Sequence, residues 1–345
     1  MRNVKVGCPR FGPYSDIVTE IAQDLGWELI MPKTVSERTI EVGNRHMNEL
    51  MCLPAKATLG GMVEAAEQGA TDMIMFDSCG QCRLKTYYIL QERALRSMGY
   101  HVKVHPIRLG ITTPADLKRV DPKISYWRAW RAFLRLLLRV KRLDSTLWPT
   151  SPSDDSMVKI GIVGEIYTIL EPAVNSRVIH KVEKQGAFVH NSLPLSFFLF
   201  RNLYHWGLMK RPGIDRARFL EAERRGKEYF PSDLGGHGKE AITHTIYYGM
   251  SGFDGVLHLL PFPCMPESTV AQILDDISHD FDLPMMRLIF DTHTAEAGVQ
   301  TRIEAFTDIL KMRKGARIKR DFQSGVGERK AEAAGETEEY PAAGS

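Results

Sequence analysis

An alternation of strands and helices that occurs twice is the feature that most constrains the fold of this chain. Short apolar runs predict strands at residues 4–7, 27–31, 72–76 and 101–106, with helices at residues 14–25, 55–68 and 82–98. The alternation restarts with strands at residues 158–164, 187–190, 255–260 and 285–291, and helices at residues 175–184 and 268–278. Because parallel strands are joined through crossover helices, this order predicts an α/β fold of two similar units, each with a parallel sheet.

The division into domains follows from this repeat and from the length of 345 residues, which exceeds one ordinary core. We expect an N-terminal α/β domain at residues 1–110, a basic helical insert and linker at residues 111–156, and a C-terminal α/β domain at residues 157–314. Residues 315–345 are rich in Gly, Ala and Glu and lack periodicity, which predicts a disordered tail.

The helical insert has a distinctive charge pattern. Residues 126–142 contain no acidic side chain but carry Arg128, Arg131, Arg135, Arg139, Lys141 and Arg142. The arginines recur every three or four positions and form one stripe, and a second stripe contains Trp127, Trp130, Leu134, Leu137 and Leu138. One interpretation is a helix packed on the domains with a solvated basic face. The other is a docking surface for an acidic partner or an anionic ligand.

Composition narrows the class of protein. A hydrophobic content of 43% and a charged content of 25% are typical of a globular protein, and a net charge of +3 does not imply nucleic acid or a membrane as partner. No apolar stretch approaches the roughly 20 residues that span a bilayer. The chain enters a strand at Val4 without a signal peptide, which predicts a cytoplasmic location where thiols stay reduced.

The five cysteines lie at related positions in the predicted fold. Cys8, Cys79, Cys82 and Cys264 each follow a predicted strand, and Cys52 directly precedes a predicted helix. Because the carboxyl ends of parallel strands form the ligand crevice of open α/β sheets, these thiols are expected at one edge. Gly and Pro neighbours fix the turns, and backbone N–H groups there favour the thiolate form that binds metal.

The Cys79-x-x-Cys82 pair allows three kinds of site. A thioredoxin-like dithiol fits its position between a strand and a helix but leaves Cys52 and Cys264 unexplained. Structural zinc usually takes closely spaced pairs of ligands, whereas neither Cys52 nor Cys264 has a second cysteine close to it in the sequence. An iron–sulfur cluster accepts thiolates from distant segments, so the spacing favours a cluster between the two domains. The zinc and dithiol alternatives stay open.

Four motifs occur in one order: MCLPAK at residues 51–56, CGQCR at 79–83, VGEIY at 163–167 and PFPCMPE at 261–267. Two more, GFDGV at residues 252–256 and EAGVQTR at 296–302, extend the pattern. Together they resemble the 2-hydroxyacyl-CoA dehydratase component D superfamily, in its branch of CoA-protein activase and double-cubane cluster proteins. Gln81 departs from the pattern, since many relatives have Pro at this position.

The resemblance implies two Rossmann- or flavodoxin-like domains with a [4Fe-4S] cluster between them, or a double-cubane [8Fe-9S] cluster as in a related subgroup. Cys52, Cys82 and Cys264 fall on the family's motif cysteines and are the implied ligands, with Cys79 as a further candidate and Cys8 as a weaker one. The resemblance also implies low-potential electron delivery from a separate ATP-hydrolysing iron–sulfur activator. With three thiolate ligands, one iron of a four-iron cubane would have no ligand from the protein.

Two further regions of the sequence are candidates for a functional role. Glu165 and Tyr167 follow a predicted strand and are candidates for acid–base catalysis, although Glu165 could equally serve only to hydrogen-bond its own loop. The glycine-rich residues 234–240 lack the phosphate-loop spacing, because Glu240 follows the lysine. We expect a loop that opens a helix, whose N–H groups suit an anion such as a CoA phosphate.

The sequence thus predicts an iron–sulfur protein that receives electrons for radical dehydration of an acyl-CoA or for reduction of another small substrate. A homodimer or a paralogous subunit is a further expected partner. Two alternatives remain: a non-catalytic metal-binding or activating subunit, and a zinc or dithiol protein.

Overall fold

Two parallel four-stranded sheets form the framework of the protein, in a computed structural model that describes residues 4–77, 82–148, 151–152, 154, 156–208, 211, 213–232 and 236–335. For residues 318 and 321–335 the description is of the backbone alone. The first sheet contains β1 (Lys5–Gly7), β2 (Glu28–Ile30), β3 (Asp72–Asp77) and β4 (Lys103–Arg108). The second contains β5 (Lys159–Gly164), β6 (Phe188–Asn191), β7 (Gly255–Pro261) and β8 (Met285–Phe290). All eight predicted strands are present and pair in parallel, which confirms the α/β prediction.

Helices connect these strands. The N-terminal half contains α1 (Ser15–Leu25), α2 (Glu37–His46), α3 (Leu53–Glu67) and α4 (Tyr87–Ser97), the last preceded by a 3-10 helix at Arg83–Thr86. Two helices join the halves, α5 (Thr113–Val120) and α6 (Tyr126–Leu147). The C-terminal half contains α7 (Ile166–Leu170), α8 (Val178–Lys184), α9 (Leu195–His205), α10 (Arg216–Tyr229), α11 (Gly238–Met250), α12 (Met265–Asp280) and α13 (Glu296–Gly335). Within the described ranges, no helix combines the length and apolarity needed to cross a membrane.

The two sheets have the same topology, and in each of them the strand order reverses at one place. The strand orders are β2-β1-β3-β4 and β6-β5-β7-β8. The chain leaves β1 towards one side and β3 towards the other, so the order reverses between these strands, and likewise between β5 and β7. Open α/β sheets bind ligands outside the carboxyl ends of their strands at this reversal. Cys8 and Cys82 follow the two central strands of the first sheet, and Glu165 and Cys264 those of the second.

The arginine stripe of α6 faces α1. Arg135 and Arg139 form ion pairs with Asp24 and Glu20, and the Arg128 Nε donates to the Asp24 carbonyl at 2.6 Å. These arginines keep much of their side-chain surface exposed, so the basic face is solvated and ion-paired at the same time. Their charges are partly matched within the chain, because α1 presents its acids to α6.

The apolar stripe of α6 contains several strongly exposed side chains. Trp127 and Leu138 are 79% and 70% exposed, whereas Ala129, Ala132 and Val140 fill the buried face. Small residues on the inner face let α6 pack closely on its neighbours, which leaves the larger apolar side chains outside.

The C-terminal helix α13 continues past residue 315, where the sequence predicted the tail to begin. The Lys314 Nζ donates to the Met157 carbonyl, and both Lys314 and Arg317 pair with the buried carboxylate of Asp254. Asp254 also accepts the Lys159 amide at 2.9 Å, so these bonds tie the middle of α13 to the start of the second sheet. Residues 336–345 lie outside the described part of the chain, and their predicted disorder stays a prediction.

The two halves share one hydrophobic core and several buried hydrogen bonds. A single cluster of buried side chains extends from Val6 in the first sheet to Ile160 and Leu257 in the second. The Glu171 carboxylate, 4% exposed, accepts the Gly12 amide at 2.9 Å across the boundary. Because apolar burial is continuous, the halves are fixed relative to each other rather than linked loosely.

Helix α6 contributes a second buried contact between the halves. The Asp144 carboxylate accepts the Tyr14 hydroxyl from the N-terminal half and the Ser196 amide, at 2.7 Å, from the C-terminal half. The Leu195 amide in turn donates to the Tyr14 oxygen at 3.1 Å. The predicted insert is therefore part of the interface and not only a connection.

Replacing Glu171 by Gln should make the free energy of unfolding less dependent on pH. Burial raises the pKa of the Glu171 carboxyl above its ordinary value of 4.5, so the fold favours the protonated group. Its stabilising contribution is complete below pH 4.5 and is lost as the pH rises through the raised pKa. Gln keeps a carbonyl oxygen for the Gly12 amide and carries no charge, so the wild type should lose stability relative to Glu171→Gln between pH 4.5 and neutrality.

Urea unfolding at a series of pH values measures this difference. Glu183→Gln, at an exposed position of α8, is the matched control and should follow the wild type. Parallel pH profiles of Glu171→Gln and the wild type would contradict the prediction.

Candidate metal centre

Three of the predicted ligands occupy the position just before a helix. Cys52 is the N-cap residue of α3, Cys82 that of the 3-10 helix at Arg83–Thr86, and Cys264 that of α12. In Cys52-Leu53-Pro54 and Cys264-Met265-Pro266, the Pro in the first turn starts the helix directly after the cysteine, because it lacks the N–H that would be unpaired there. The remaining N–H groups and the helix dipole place partial positive charge beside each sulfur.

The three cysteines come from remote segments and converge. Burial raises the pKa of the Cys264 thiol, and the charges of Glu267, Glu165 and Cys52 raise it further. Burial also raises the pKa of the Tyr87 hydroxyl, with further contributions from Cys52, Glu165 and Cys82. The charges of Cys52 and Glu165 thus reach both Cys264 and Tyr87, so these segments of the two halves lie near one another.

A glycine ahead of α11 closes the gap between the halves. A Cβ atom added to Gly236 would lie 2.8 Å from the Pro266 Cγ and 3.5 Å from the Cβ of Cys82. Gly236 also has a φ of +80°, in the left-handed region that L side chains rarely adopt. The backbone of this glycine thus lies against both the Cys82 segment and the start of α12.

Two contacts fix the Cys82 segment onto the Cys52 segment. The Arg83 Nη1 donates to the carbonyl of Leu50, two residues before Cys52. The Tyr87 hydroxyl, on a side chain that is fully buried, lies 2.6 Å from the Cys52 Sγ. The positive charge of Arg83 also lowers the pKa of the Cys52 thiol slightly, against a larger effect of burial.

Burial determines the protonation of these thiols. It raises the pKa of Cys52 and of Cys264, and it outweighs the amides of Ala55 and Glu267, which favour the thiolates. Without a bound cation, both side chains are therefore neutral thiols at physiological pH. A metal that binds here must displace protons, and its positive charge would replace the missing compensation for buried thiolates.

The predicted acid–base residues have different surroundings. Glu165 caps α7, and its carboxylate accepts the amides of Tyr167 and Thr168 at 3.0 and 2.8 Å. Burial nevertheless raises the pKa of Glu165, while a charge on His237 lowers it. The Tyr167 hydroxyl is buried and has no hydrogen-bond partner among the described residues. Both roles considered for Glu165, loop contact and proton carrier, thus fit its position.

The other two cysteines stand differently. Cys8 is fully buried in the hydrophobic core, where its Sγ donates to the Pro9 carbonyl at 3.3 Å and burial raises its thiol pKa. Cys79, and with it the Cys79-x-x-Cys82 dithiol reading, lies outside the described residues.

Sequence reasoning missed several residues at this site. Glu267 bonds through one oxygen to the Nε2 of His258 at 2.9 Å, while its other oxygen is buried without a partner among the described residues. His237 caps α11 and acts on Glu165. Tyr87 lies in a helical pattern that gives no sign of its contact with Cys52. None of these residues carries a spacing signal, because each reaches the site through tertiary packing.

Over the ranges that the structure describes, no three His, Cys, Asp or Glu side chains lie close enough to hold one metal ion. No protein-family model matches the chain, and no curated protein matches it significantly.

Proposed function

We propose that this chain is an iron–sulfur protein related to 2-hydroxyacyl-CoA dehydratases, with Cys52, Cys82 and Cys264 as ligands of a [4Fe-4S] or double-cubane [8Fe-9S] cluster. One observation carries the proposal: three cysteines from remote segments cap three helices at the point where the two sheets meet. Cys79 is proposed as a further ligand.

The donor set suits such a cluster. Cysteine thiolates are the usual ligands of iron–sulfur clusters, and they bind different iron atoms, so they need not meet at one ion. The helix N-termini and the Arg83 guanidinium favour the thiolates, and the iron atoms would offset the cost of burying them. At Gly236 an added Cβ would clash with Pro266, so this close approach of the α11 segment to the start of α12 requires glycine.

A bound cluster would supply one-electron transfer at low potential. The chain's own residues would then hold the substrate and move its protons. Burial raises the pKa of Glu165, so this carboxyl is suited to hold a proton beside the cysteines. The Tyr167 hydroxyl makes no hydrogen bond to a described residue and is therefore available to a substrate. We propose dehydration of a 2-hydroxyacyl-CoA, or reduction of another small substrate, as the reaction.

The electrons would come from a separate ATP-hydrolysing iron–sulfur activator. Of the basic stripe on α6, Arg131, Lys141 and Arg142 are exposed, whereas Arg135 and Arg139 are already paired with acids of α1. The proposed docking surface is therefore the exposed basic residues together with the apolar stripe beside them. A cytoplasmic location, where both components would meet, belongs to the same proposal.

Protein purified without oxygen should be brown and contain at least about four iron atoms and a similar amount of acid-labile sulfide per chain. Metal analysis and the visible absorption spectrum measure this, and reduction with dithionite should bleach the colour. Protein treated with an iron chelator in air is the control and should be colourless. Colourless anaerobic protein with one zinc per chain would overturn the proposal in favour of the zinc alternative.

A further inference from the structure

Arg211, in the C-terminal half, is partly buried and has no anionic partner among the described residues. The Arg211 Nη2 donates to the Ser192 carbonyl at 2.9 Å, and its Nη1 lies 3.0 Å from the Nε2 of His244. The guanidinium carbon lies 4.5 Å from the centre of the Phe197 ring. Through the part of the chain that the structure describes, no carboxylate forms an ion pair with Arg211, although burial is large enough to lower its pKa.

The two histidines near this guanidinium are neutral. Burial lowers the pKa of His190 to about 3 and that of His244 well below its usual range. The His244 Nδ1 lies 2.8 Å from the Glu240 carbonyl, which leaves its Nε2 to accept from Arg211. The charge of Asp144 reaches Arg211 through space, but its two oxygens accept the Tyr14 hydroxyl and the Ser196 amide.

Three hydrogen-bond donors beside Arg211 are also without partners. The Asn191 Nδ2, the Ser192 Oγ and the Tyr204 hydroxyl are buried and make no hydrogen bond to any described residue. Their residues are only 2%, 0% and 3% exposed, respectively. Ser192 is the residue whose carbonyl binds Arg211, Asn191 precedes it at the end of β6, and the charge of Arg211 acts on Tyr204.

Among the described residues, neither the Arg211 guanidinium nor the three buried donors bond to a negatively charged acceptor. Leaving such groups unpaired is unfavourable, whereas a bound oxyanion would offer them acceptors. The planar guanidinium binds carboxylate or phosphate through two parallel hydrogen bonds. Arg211 itself keeps part of its surface exposed, so an anion from solvent has access to it.

We propose that Arg211, Asn191, Ser192 and Tyr204 form a binding site for a small oxyanion, a carboxylate or a phosphate, at the carboxyl end of β6. This end of β6 belongs to the same sheet edge as Glu165 and Cys264, since β6 is parallel to β5. The site does not depend on the proposed cluster, and it stands or falls by anion binding alone. At this edge of the sheet, the site would hold the acidic group of a substrate.

Thermal unfolding of the full chain in acetate, in inorganic phosphate and in chloride at matched ionic strength tests the site. The unfolding temperature should rise saturably with acetate or phosphate beyond the effect of chloride, and the stronger of the two identifies the planar or the tetrahedral anion. Ser192→Ala and Tyr204→Phe should each weaken the apparent affinity about tenfold. Both remove a hydroxyl that makes no hydrogen bond to a described residue, so both proteins should fold.

Thr307→Val is the matched control, because it removes another buried hydroxyl without a partner, on the distant helix α13. Its anion affinity should equal that of the wild type, and Arg211→Met should abolish the anion response. An unfolding temperature that responds to neither anion beyond chloride would overturn the proposal. So would an unchanged affinity in both Ser192→Ala and Tyr204→Phe.

Discussion

Replacing Cys52, Cys82 or Cys264 by Ser should each strip the protein of its iron. A serine hydroxyl stays protonated at neutral pH, and it therefore cannot replace a thiolate on iron. Each of these cysteines caps a different element, so the loss of one removes the only ligand that its segment contributes among the described residues. The measurement is iron and sulfide content per chain, with the visible spectrum, in proteins purified without oxygen.

Cys8→Ser is the control for this series. Cys8 lies in the core and bonds to its neighbour Pro9, and a serine hydroxyl can make the same bond. Its iron content should equal that of the wild type, even if the unfolding temperature falls. Retention of iron in all three ligand variants would refute the ligand assignment, and loss of iron in a folded Cys8→Ser protein would show that the set is incomplete.

Gly60→Ala or Gly43→Ala should destabilise the N-terminal half by about 3 kcal/mol, at the upper end of the cost of overpacking. Helices α2 and α3 touch backbone to backbone at these positions. A Cβ on Gly60 would lie 1.8 Å from the Thr39 carbonyl oxygen, and one on Gly43 would lie 1.8 Å from that of Lys56. A backbone carbonyl cannot rotate away as a flexible side chain can, so the helices must separate.

Chemical denaturation measures this loss, and Gly298→Ala is its control. Gly298 lies on an exposed face of α13 with no atom within 4 Å of an added Cβ, so Ala should be neutral or stabilise by up to about 1 kcal/mol. Because α3 begins at Cys52, separation of α2 and α3 should also lower the iron content of the Gly60→Ala protein. Wild-type stability in both glycine variants would contradict the close packing of α2 on α3.

The α6 helix illustrates how far a pattern of residues can be interpreted. Its spacing correctly separated an arginine stripe from a stripe of Trp and Leu, because side chains three or four apart lie on one face. Which stripe faces inward depends on the neighbour. Asp24 and Glu20 on α1 attract Arg135 and Arg139, so the arginines turn towards the protein and Trp127 turns outward.

Helix α2 was among the helices absent from the prediction, for a related reason. Helix α2 contains few apolar residues, and its clearest sign is the capping box of Ser36 and Thr39, which involves only local hydrogen bonds. Its close contact with α3 depends on two glycines that a hydrophobic pattern does not register.

Local sequence determined the eight strands, the positions of the cysteines at strand ends and helix starts, and the parallel character of both sheets. These features depend on residues close together in the chain, where apolar spacing, Gly and Pro act directly. Tertiary packing alone decided that Cys82 and Pro266 both lie against Gly236, that Cys8 stays in the core, and that Arg211 lies against Ser192. Each of those outcomes joins segments far apart in sequence, and such contacts are selected by shape and charge after the elements have formed.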